Sequence, residues 1–285
     1  MSGLPTRVLI IGAKGMLGRA WSELLAKKAI SHDEMNVDEI DITDARQVAP
    51  LDGYDAIVNC AAWTNVDSAE EHEADAMKIN AEAVGYLGER ARQISATLVH
   101  YSTDYVFNGC ETSPYRVDAP YDPINAYGRT KAEGEKRLKD SGCDYRLVRT
   151  SRLYAPWGKN FVRTMLKLTA ERDTLQVVDD QQGRPTSAEH LAATSLALLE
   201  RGERGTYHVT DGGQCTWFQF TQKIAELAGN TCDIKPCASD QFPSAVKRPA
   251  YSVLDLSKTE ALLGAIPSWE VHLQSCLNSI NTKPS

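Results

Sequence analysis

The sequence predicts an α/β protein: a doubly wound parallel sheet with helices on both faces, followed by a smaller C-terminal domain. Three observations lead there. Short apolar runs alternate with helical patterns through the first half of the chain. The first of those runs ends in the glycine-rich turn Gly12-Ala13-Lys14-Gly15-Met16-Leu17-Gly18. After about residue 150 the rhythm loosens into short helices, a strand-like Gly205-Thr206-Tyr207-His208-Val209 and a proline-rich stretch from Pro236 to Pro249.

Each element has its own justification. Arg7-Val8-Leu9-Ile10-Ile11-Gly12 suits a strand buried on both faces. The glycine turn then opens a helix carried by Trp21, Leu24 and Leu25. Glycines at a strand-to-helix junction permit a tight turn and let backbone N–H groups approach a pyrophosphate, to which the helix N-terminus adds partial positive charge. The spacing Gly-x-x-Gly-x-x-Gly is a variant of the dinucleotide fingerprint, so the sheet is expected to be Rossmann-type. The plainer alternative is a turn that only packs the helix on the strand. Asp55 to Ala62 reads as the next strand, and one long helix is expected from Ser68 to Gln93, with Ala69, Ala76, Ile79, Ala83, Tyr86 and Leu87 inward. Thr97 to Ser102 and Asp144 to Thr150 are further strands. The expected division is residues 1–150 for the nucleotide-binding domain, with later segments free to rejoin it, and 151–285 mainly for a substrate domain.

Composition removes several function classes. The 285 residues are 42% hydrophobic and 24% charged, ordinary for a globular chain. A net charge of −7 and the lack of a basic stripe with interleaved aromatics argue against a nucleic-acid partner. No apolar run approaches the ~18 residues of a membrane span. The N-terminus enters a strand at once, unlike a signal peptide, so a cytoplasmic location is expected. Seven cysteines, without Cys-x-x-Cys, read as reduced thiols. The six histidines show no metal-ligand spacing, and no metal is expected.

Chemistry is concentrated in Tyr127-Gly128-Arg129-Thr130-Lys131 and the earlier Tyr101-Ser102-Thr103-Asp104-Tyr105-Val106-Phe107. On a helix, Tyr127 and Lys131 lie one turn apart on one face. An ammonium near the phenol favours the phenolate and is expected to pull its pKa down from about 10. The Thr103 hydroxyl is placed to hold a reacting carbonyl oxygen.

Together these segments resemble the dTDP-4-dehydrorhamnose reductase family of extended short-chain dehydrogenases. The resemblance runs nearly end to end, through Asp41-Ile42-Thr43-Asp44, Asn59 to Asp67, Asp180 to Thr186 and Arg248 to Asp255. It implies NADH or NADPH as cofactor and a dTDP-linked keto-sugar as substrate, with the protein a monomer or homodimer. Tyr127 would be the acid–base residue, Lys131 its activator and Thr103 the hydroxyl partner. Gly12, Gly15, Met16, Leu17, Gly18, Asp41, Ile42, Ala62, Trp63, Thr64, Tyr101, Tyr127 and Lys131 would meet the cofactor. Thr103, Asp104, Arg152 and Arg248 would meet the substrate, Arg248 at the diphosphate. Where the family carries Trp after Arg149-Thr150-Ser151, this chain has Arg152, with Trp157 a substitute aromatic surface. Some members hold a metal at a dimer contact; Glu189 matches one ligand but Ala20 stands at another, so none is carried over.

Simpler readings compete at several positions. Phe107 reads as packing, Asp104 equally as a turn residue, and Glu70-Glu71-His72-Glu73 as a solvated helix start. Asp180 to Thr186 reads as a loop supporting an interdomain contact. The functional expectation is NAD(P)H-dependent reduction of dTDP-4-dehydro-L-rhamnose to dTDP-L-rhamnose. Its rivals are reduction or epimerisation of another nucleotide sugar, and a non-catalytic role like that of a regulatory subunit of methionine adenosyltransferase. The segment from Ser31 to Asp44 holds six acids and no Lys or Arg, which favours NADH over a 2′-phosphate.

Overall fold

The computed structural model describes residues 3–241 and 246–282; residues 242–245 of the proline-rich stretch lie outside them. The first apolar run is β1 (Arg7–Ile11), buried from Val8 onward. It leads into α1 (Met16–Lys27) and β2 (Ser31–Met35). The sequence of β2, SHDEM, is polar because this strand is the sheet's edge and one side of it meets water. Next come α2 (Ala45–Val48) and β3 (Ala56–Asn59).

The single helix expected over 68–93 is four pieces: α3 (Val66–Glu71), α4 (Glu73–Met77), a turn of π-helix at Lys78–Glu82, and α5 (Ala83–Gln93). The first break falls at His72, where φ −125° and ψ 38° leave the helical region and the ring meets Trp63. The π turn carries Asn80 inward. Its Oδ1 accepts from the Trp63 N–H at 2.9 Å, and its Nδ2 donates to Trp63 O and Thr130 Oγ1, both at 3.1 Å. Hydrophobic periodicity cannot register such a widened turn, which here trades helix regularity for a brace between two site segments. Ala69, Ala76, Ala83 and Leu87 are buried as expected, whereas Ile79 and Tyr86 are only half-buried.

The chain continues through β4 (Thr97–Thr103), α6 (Ala126–Asp140), β5 (Asp144–Thr150), β6 (Leu153–Tyr154), α7 (Phe161–Glu171), β7 (Thr174–Val178), β8 (Gln182–Gly183) and β9 (Thr186–Ser187). It ends with α8 (Ala188–Arg201), β10 (Gly205–His208), β11 (Cys215–Thr216), α9 (Trp217–Ala228), β12 (Asp233–Cys237), α10 (Ser257–Leu263) and α11 (Trp269–Thr282). Six strands make one parallel sheet in the order β2-β1-β3-β4-β5-β10. The chain moves outward from β1 to β2, then returns to β3 on the other side of β1. That reversal opens a crevice at the strands' carboxyl ends, where such sheets take ligands.

Packing explains how the C-terminal half is shared out. Trp21 and Leu25 of α1 meet Leu191 and Leu199 of α8 over one face of the sheet. Leu87 of α5 and Leu138 of α6 cover the other face, against Leu9, Ile57 and Leu147. β10 pairs with β5, Tyr207 opposite Val148, so β10 and α8 join the N-terminal layers. A separate cluster around Tyr154, Val162, Phe220 and Leu273 forms the core of the smaller unit. Among the described residues no helix is long and apolar enough to cross a membrane.

Candidate active site

A cleft of about 1130 Å³ lies at the carboxyl ends of the strands. Gly12, Gly15, Met16 and Leu17 form its floor beside β1. Gly12 has φ +80°, and a Cβ there would stand 2.9 Å from the Ala61 nitrogen, so glycine lets the loop close onto the end of β3. Gly18 does not line the cleft. Its Cβ would lie 2.2 Å from the Gly12 carbonyl oxygen, so it serves the close packing of α1 on the loop. The result is an open backbone cradle at the N-terminus of α1, which fits the diphosphate of a dinucleotide.

Asp41, Ile42, Ala62 and Thr64 line the same cleft, as do Thr43 and Asn36. Trp63 does not; its ring turns to His72 and its Nε1 donates to Asn65 O, while its backbone is gripped by Asn80. Asn36, just past β2, was not anticipated: its Oδ1 accepts from the Lys14 N–H at 2.8 Å and so ties the glycine loop to the edge strand. Lys14 Nζ pairs with Asp38 at 2.6 Å. Arg19 is turned away, onto Glu23 at 2.9 Å and over the Trp157 ring at 4.5 Å. Trp157 donates to Met16 O and does not reach the cleft, so it is not the substitute aromatic surface.

The helix bearing Tyr127 and Lys131 is seated by acids of the Glu70–Glu73 run, which is thus more than a solvated helix start. Asn125 caps α6 through the Gly128 N–H, Glu70 accepts from the Ala126 N–H at 2.7 Å, and Glu73 takes Arg129 in two bonds of 2.9 and 2.7 Å. Glu70 and Glu73 therefore fix the start of α6. Thr103, at the end of β4, donates to Asp104 Oδ1 and accepts from the Tyr105 N–H. Tyr101, Thr103, Tyr127 and Lys131 all line the cleft.

The electrostatics differ from the expectation of an ammonium drawing down the phenol. Burial pushes Tyr127 well above its ordinary value; Asp104 adds to the rise, and the Thr103 hydroxyl opposes it. Lys131 Nζ is directed to the Tyr101 carbonyl at 2.6 Å and to His100 Nε2 at 3.4 Å. Burial lowers Lys131 to about 8, with Glu135 opposing. Burial raises the Glu135 carboxyl, but Arg149 at 2.7 Å, with Ser102 and Tyr121, outweighs this and holds it below the usual range.

At the far end of the cleft Asp104 is buried, and burial raises its carboxyl. Arg152 sits in the left-handed region at φ +46°. Its guanidinium lies 4.2 Å from the Trp217 ring and donates to Cys215 O at 2.8 Å and Gln181 O at 2.7 Å. Trp217, Gln181 and Ser252 line the cleft around it; Gln181 and Ser252 fall in segments that carry the resemblance but were not expected to reach the cleft, and nothing in the local sequence marks Trp217. Arg248 does not line the cleft; it binds the Asp67 carboxylate at 2.7 and 2.9 Å. In this arrangement it latches the C-terminal segment to α3. Asp180 holds Ser239 while its neighbour Gln181 faces the cleft.

Away from the cleft, His190, Asp211 and His272 come together from three segments whose spacing gives no warning. His190 Nδ1 lies 2.6 Å from Asp211 Oδ1, and the two rings stack 4.4 Å apart at 17°. Rings so nearly parallel do not direct lone pairs at one shared point, so this is a histidine–carboxylate hydrogen bond with a stacked neighbour. All seven cysteines are free thiols.

Comparison with known proteins agrees with this geometry. A family model described as RmlD substrate binding domain matches residues 6–282. A dTDP-4-keto-6-deoxy-D-glucose reductase of Streptomyces niveus is 39% identical, covering 98% of this chain and 99% of its own. The crystal structure of a dTDP-4-dehydrorhamnose reductase from Clostridium acetobutylicum superposes with a TM-score of 0.93 at 36% identity, over 97% of this chain and 100% of that one. That of a dTDP-4-dehydrorhamnose reductase from Bacillus anthracis, solved in complex with NADP, gives 0.91 at 35% identity, over 96% and 99%. With sheet, cleft and sequence in agreement over nearly the whole length, the chain belongs to the dTDP-4-dehydrorhamnose reductase family of extended short-chain dehydrogenases.

Proposed function

We propose that this chain is an NAD(P)H-dependent reductase of a dTDP-linked 4-keto-6-deoxysugar, with dTDP-4-dehydro-L-rhamnose as substrate and dTDP-L-rhamnose as product. The observation that carries the reading is the convergence of Thr103, Tyr127 and Lys131 on one cleft with the Gly12–Leu17 cradle. Bound reduced nicotinamide supplies the hydride. The chain supplies the rest. Tyr127, kept in its acid form by burial, gives its proton to the keto oxygen, and Thr103 orients that oxygen. Lys131 meets the nicotinamide ribose; Asp41, Ile42, Ala62 and Thr64 line the adenosine end. Asp104 and Arg152 meet the sugar. Arg248 would serve the diphosphate only by exchanging Asp67 for it.

Residues 1–150, rejoined by α8 and β10, are assigned to the dinucleotide, and the remainder of 151–285 mainly to the substrate. A cytoplasmic location is supported by seven unpaired thiols, which suit a reducing compartment. Arg152 supports a second reading, reduction of a related keto-sugar whose acceptor groups suit a guanidinium better than an aromatic plane. Oxidation of NADH and NADPH against a panel of 4-keto-sugar nucleotides tests both: turnover of dTDP-4-dehydrorhamnose alone supports the first, another sugar the second, and none refutes the enzyme reading.

A further inference from the structure

Behind Lys131 runs a buried row of polar groups that the reaction as described does not use. The Ala61 N–H donates to Asn59 Oδ1 at 3.1 Å. Asn59 Nδ2 then faces His100 Nδ1 at 3.2 Å, and His100 Nε2 faces Lys131 Nζ at 3.4 Å. Lys131 itself donates to Tyr101 O at 2.6 Å. Asn59 and His100 are each 1% exposed and Lys131 2%, so the row must satisfy itself.

The direction of these bonds is determined from one end. A backbone N–H can only donate, so the Asn59 oxygen belongs beside Ala61 and the Asn59 NH₂ beside His100. His100 Nδ1 must then accept, which leaves the ring hydrogen on Nε2, pointing at Lys131. A neutral amine has a lone pair to receive it and still donates to Tyr101 O. An ammonium has none, and the contact becomes donor against donor. Moving the ring hydrogen to Nδ1, or turning the amide, only shifts the conflict to Asn59–His100 or Ala61–Asn59.

We propose that the Asn59–His100 row favours the neutral amine of Lys131 in the cofactor-free protein, so that binding of a reduced dinucleotide is coupled to proton uptake by Lys131. His100 is on this view a positioning residue, acting through the lysine. The inference rests on the reading that Lys131 meets the dinucleotide. A reduced dinucleotide brings negative diphosphate and hydroxyl acceptors into the cleft, both of which favour the charged form. The proton comes from solvent buffer and forms the third N–H bond on Nζ; His100 then carries its hydrogen on Nδ1, and the donor-against-donor contact moves to Asn59 Nδ2, a cost that the dinucleotide's contacts with the ammonium offset.

The other groups facing Lys131 leave this assignment standing. Glu135, one turn on in α6, favours the ammonium but is engaged by Arg149, Ser102 and Tyr121. On β4 the Tyr101 hydroxyl accepts from Trp21 Nε1, and His100 pairs across to Leu147 on β5, which does not titrate. Beyond β3, burial pushes the Cys60 thiol up and keeps it neutral. On the cleft side, Tyr127 is pushed up by burial and by Asp104, so the phenol is neutral as well. The lowering of Lys131 to about 8 agrees with the row's polarity.

Two measurements on the full chain test the proposal. Long-range ¹H–¹⁵N correlation spectra of the free protein at pH 9, where the Lys131 amine is mostly neutral, assign the His100 tautomer; hydrogen on Nε2 is expected, changing to Nδ1 with NADH bound. Calorimetric titration with NADH in phosphate and in Tris, which differ in ionisation enthalpy, reads the protons taken up. At pH 8 about half a proton per site is expected, falling to about a tenth at pH 7, from a group near 8 that is driven fully charged. In Asn59→Asp the carboxylate still accepts from Ala61 but now also from His100 Nδ1, and uptake at pH 8 should disappear. Hydrogen on Nδ1 in the free protein at pH 9, or NADH binding at pH 8 without uptake, overturns the inference while leaving the reductase reading intact. Failure of NADH to bind overturns that reading instead, and the free-protein tautomer still decides the polarity of the row.

Discussion

Replacing Glu135 by Gln should cost more stability than any single change on the cleft surface. Glu135 is fully buried, and its carboxylate takes Arg149 Nε and NH2, the Ser102 hydroxyl and the Tyr121 hydroxyl. The amide keeps the shape but leaves the Arg149 guanidinium, itself 1% exposed, without its counter-charge. Breaking such a pair costs about 3–5 kcal/mol. For 285 residues the unfolding entropy near the midpoint is about 0.6 kcal/mol per degree, so Tm should fall by about 5–8 °C. The pH dependence carries a second signature. The folded carboxyl is held below its ordinary value, so its contribution is present above the unfolded pKa of about 4.3 and is lost as pH falls through the lower folded value. E135Q should therefore flatten the stability curve in that acid window. Urea titrations from pH 3 to 7 measure both effects. Replacing both partners, as in Glu135→Leu with Arg149→Met, should recover most of the loss, because no charge is then stranded. A Glu135→Gln protein within about 1 kcal/mol of wild type would show that Arg149 is satisfied by Val117 O and His208 alone, and the reasoning would fail.

Tyr127→Phe should fold and bind dinucleotide normally yet lose about 10²–10⁴-fold in kcat, read at saturating cofactor; half the wild-type rate would move the acid elsewhere. Gly18→Ala places a Cβ 2.2 Å from the Gly12 oxygen, so thermal melts should show a loss of about 1–3 kcal/mol and fluorescence titration a weakened dinucleotide. Arg152→Trp should reorder preference among 4-keto-sugar nucleotides, with about 10–150-fold lost in kcat/KM for the best wild-type substrate; an unchanged ranking would make Arg152 structural. NADH should serve at least as well as NADPH, because Asp38 already holds Lys14 and Arg19 is turned onto Glu23 and Trp157; a tenfold preference for NADPH in kcat/KM would refute this.

What could be read in advance was what lies contiguous in the chain. The glycine loop, the Thr103 segment and the Tyr127–Lys131 turn each carry their chemistry within a few residues, and the burial of β1 and β3 is written in their apolar runs. The edge strand β2 is polar because water covers one side, so no hydrophobic pattern marks it. Arg248 resembles a diphosphate ligand in sequence but meets Asp67, 181 residues away. Trp63 has the right place in its motif, yet Asn80 holds its backbone and His72 its ring. The break at His72 and the π turn arise from these tertiary contacts, and a helical repeat carries no trace of them.

The spacing of Tyr127 and Lys131 was legible, but their charges were not, because these depend on what buries them. One helical turn suggests an ammonium drawing a phenol towards phenolate. In the folded chain burial acts on both groups in the direction of neutrality: the phenol is pushed up and the amine down. For a reductase this is the useful resting state. A carbonyl that receives hydride needs an acid beside it, and a phenol kept protonated until the cleft is filled is one. Asn80 and Glu70 set where Tyr127 stands, and Asn59, His100 and Glu135 set what Lys131 carries. These five residues belong to β3, α3, the π turn, β4 and α6, so only the fold brings them together.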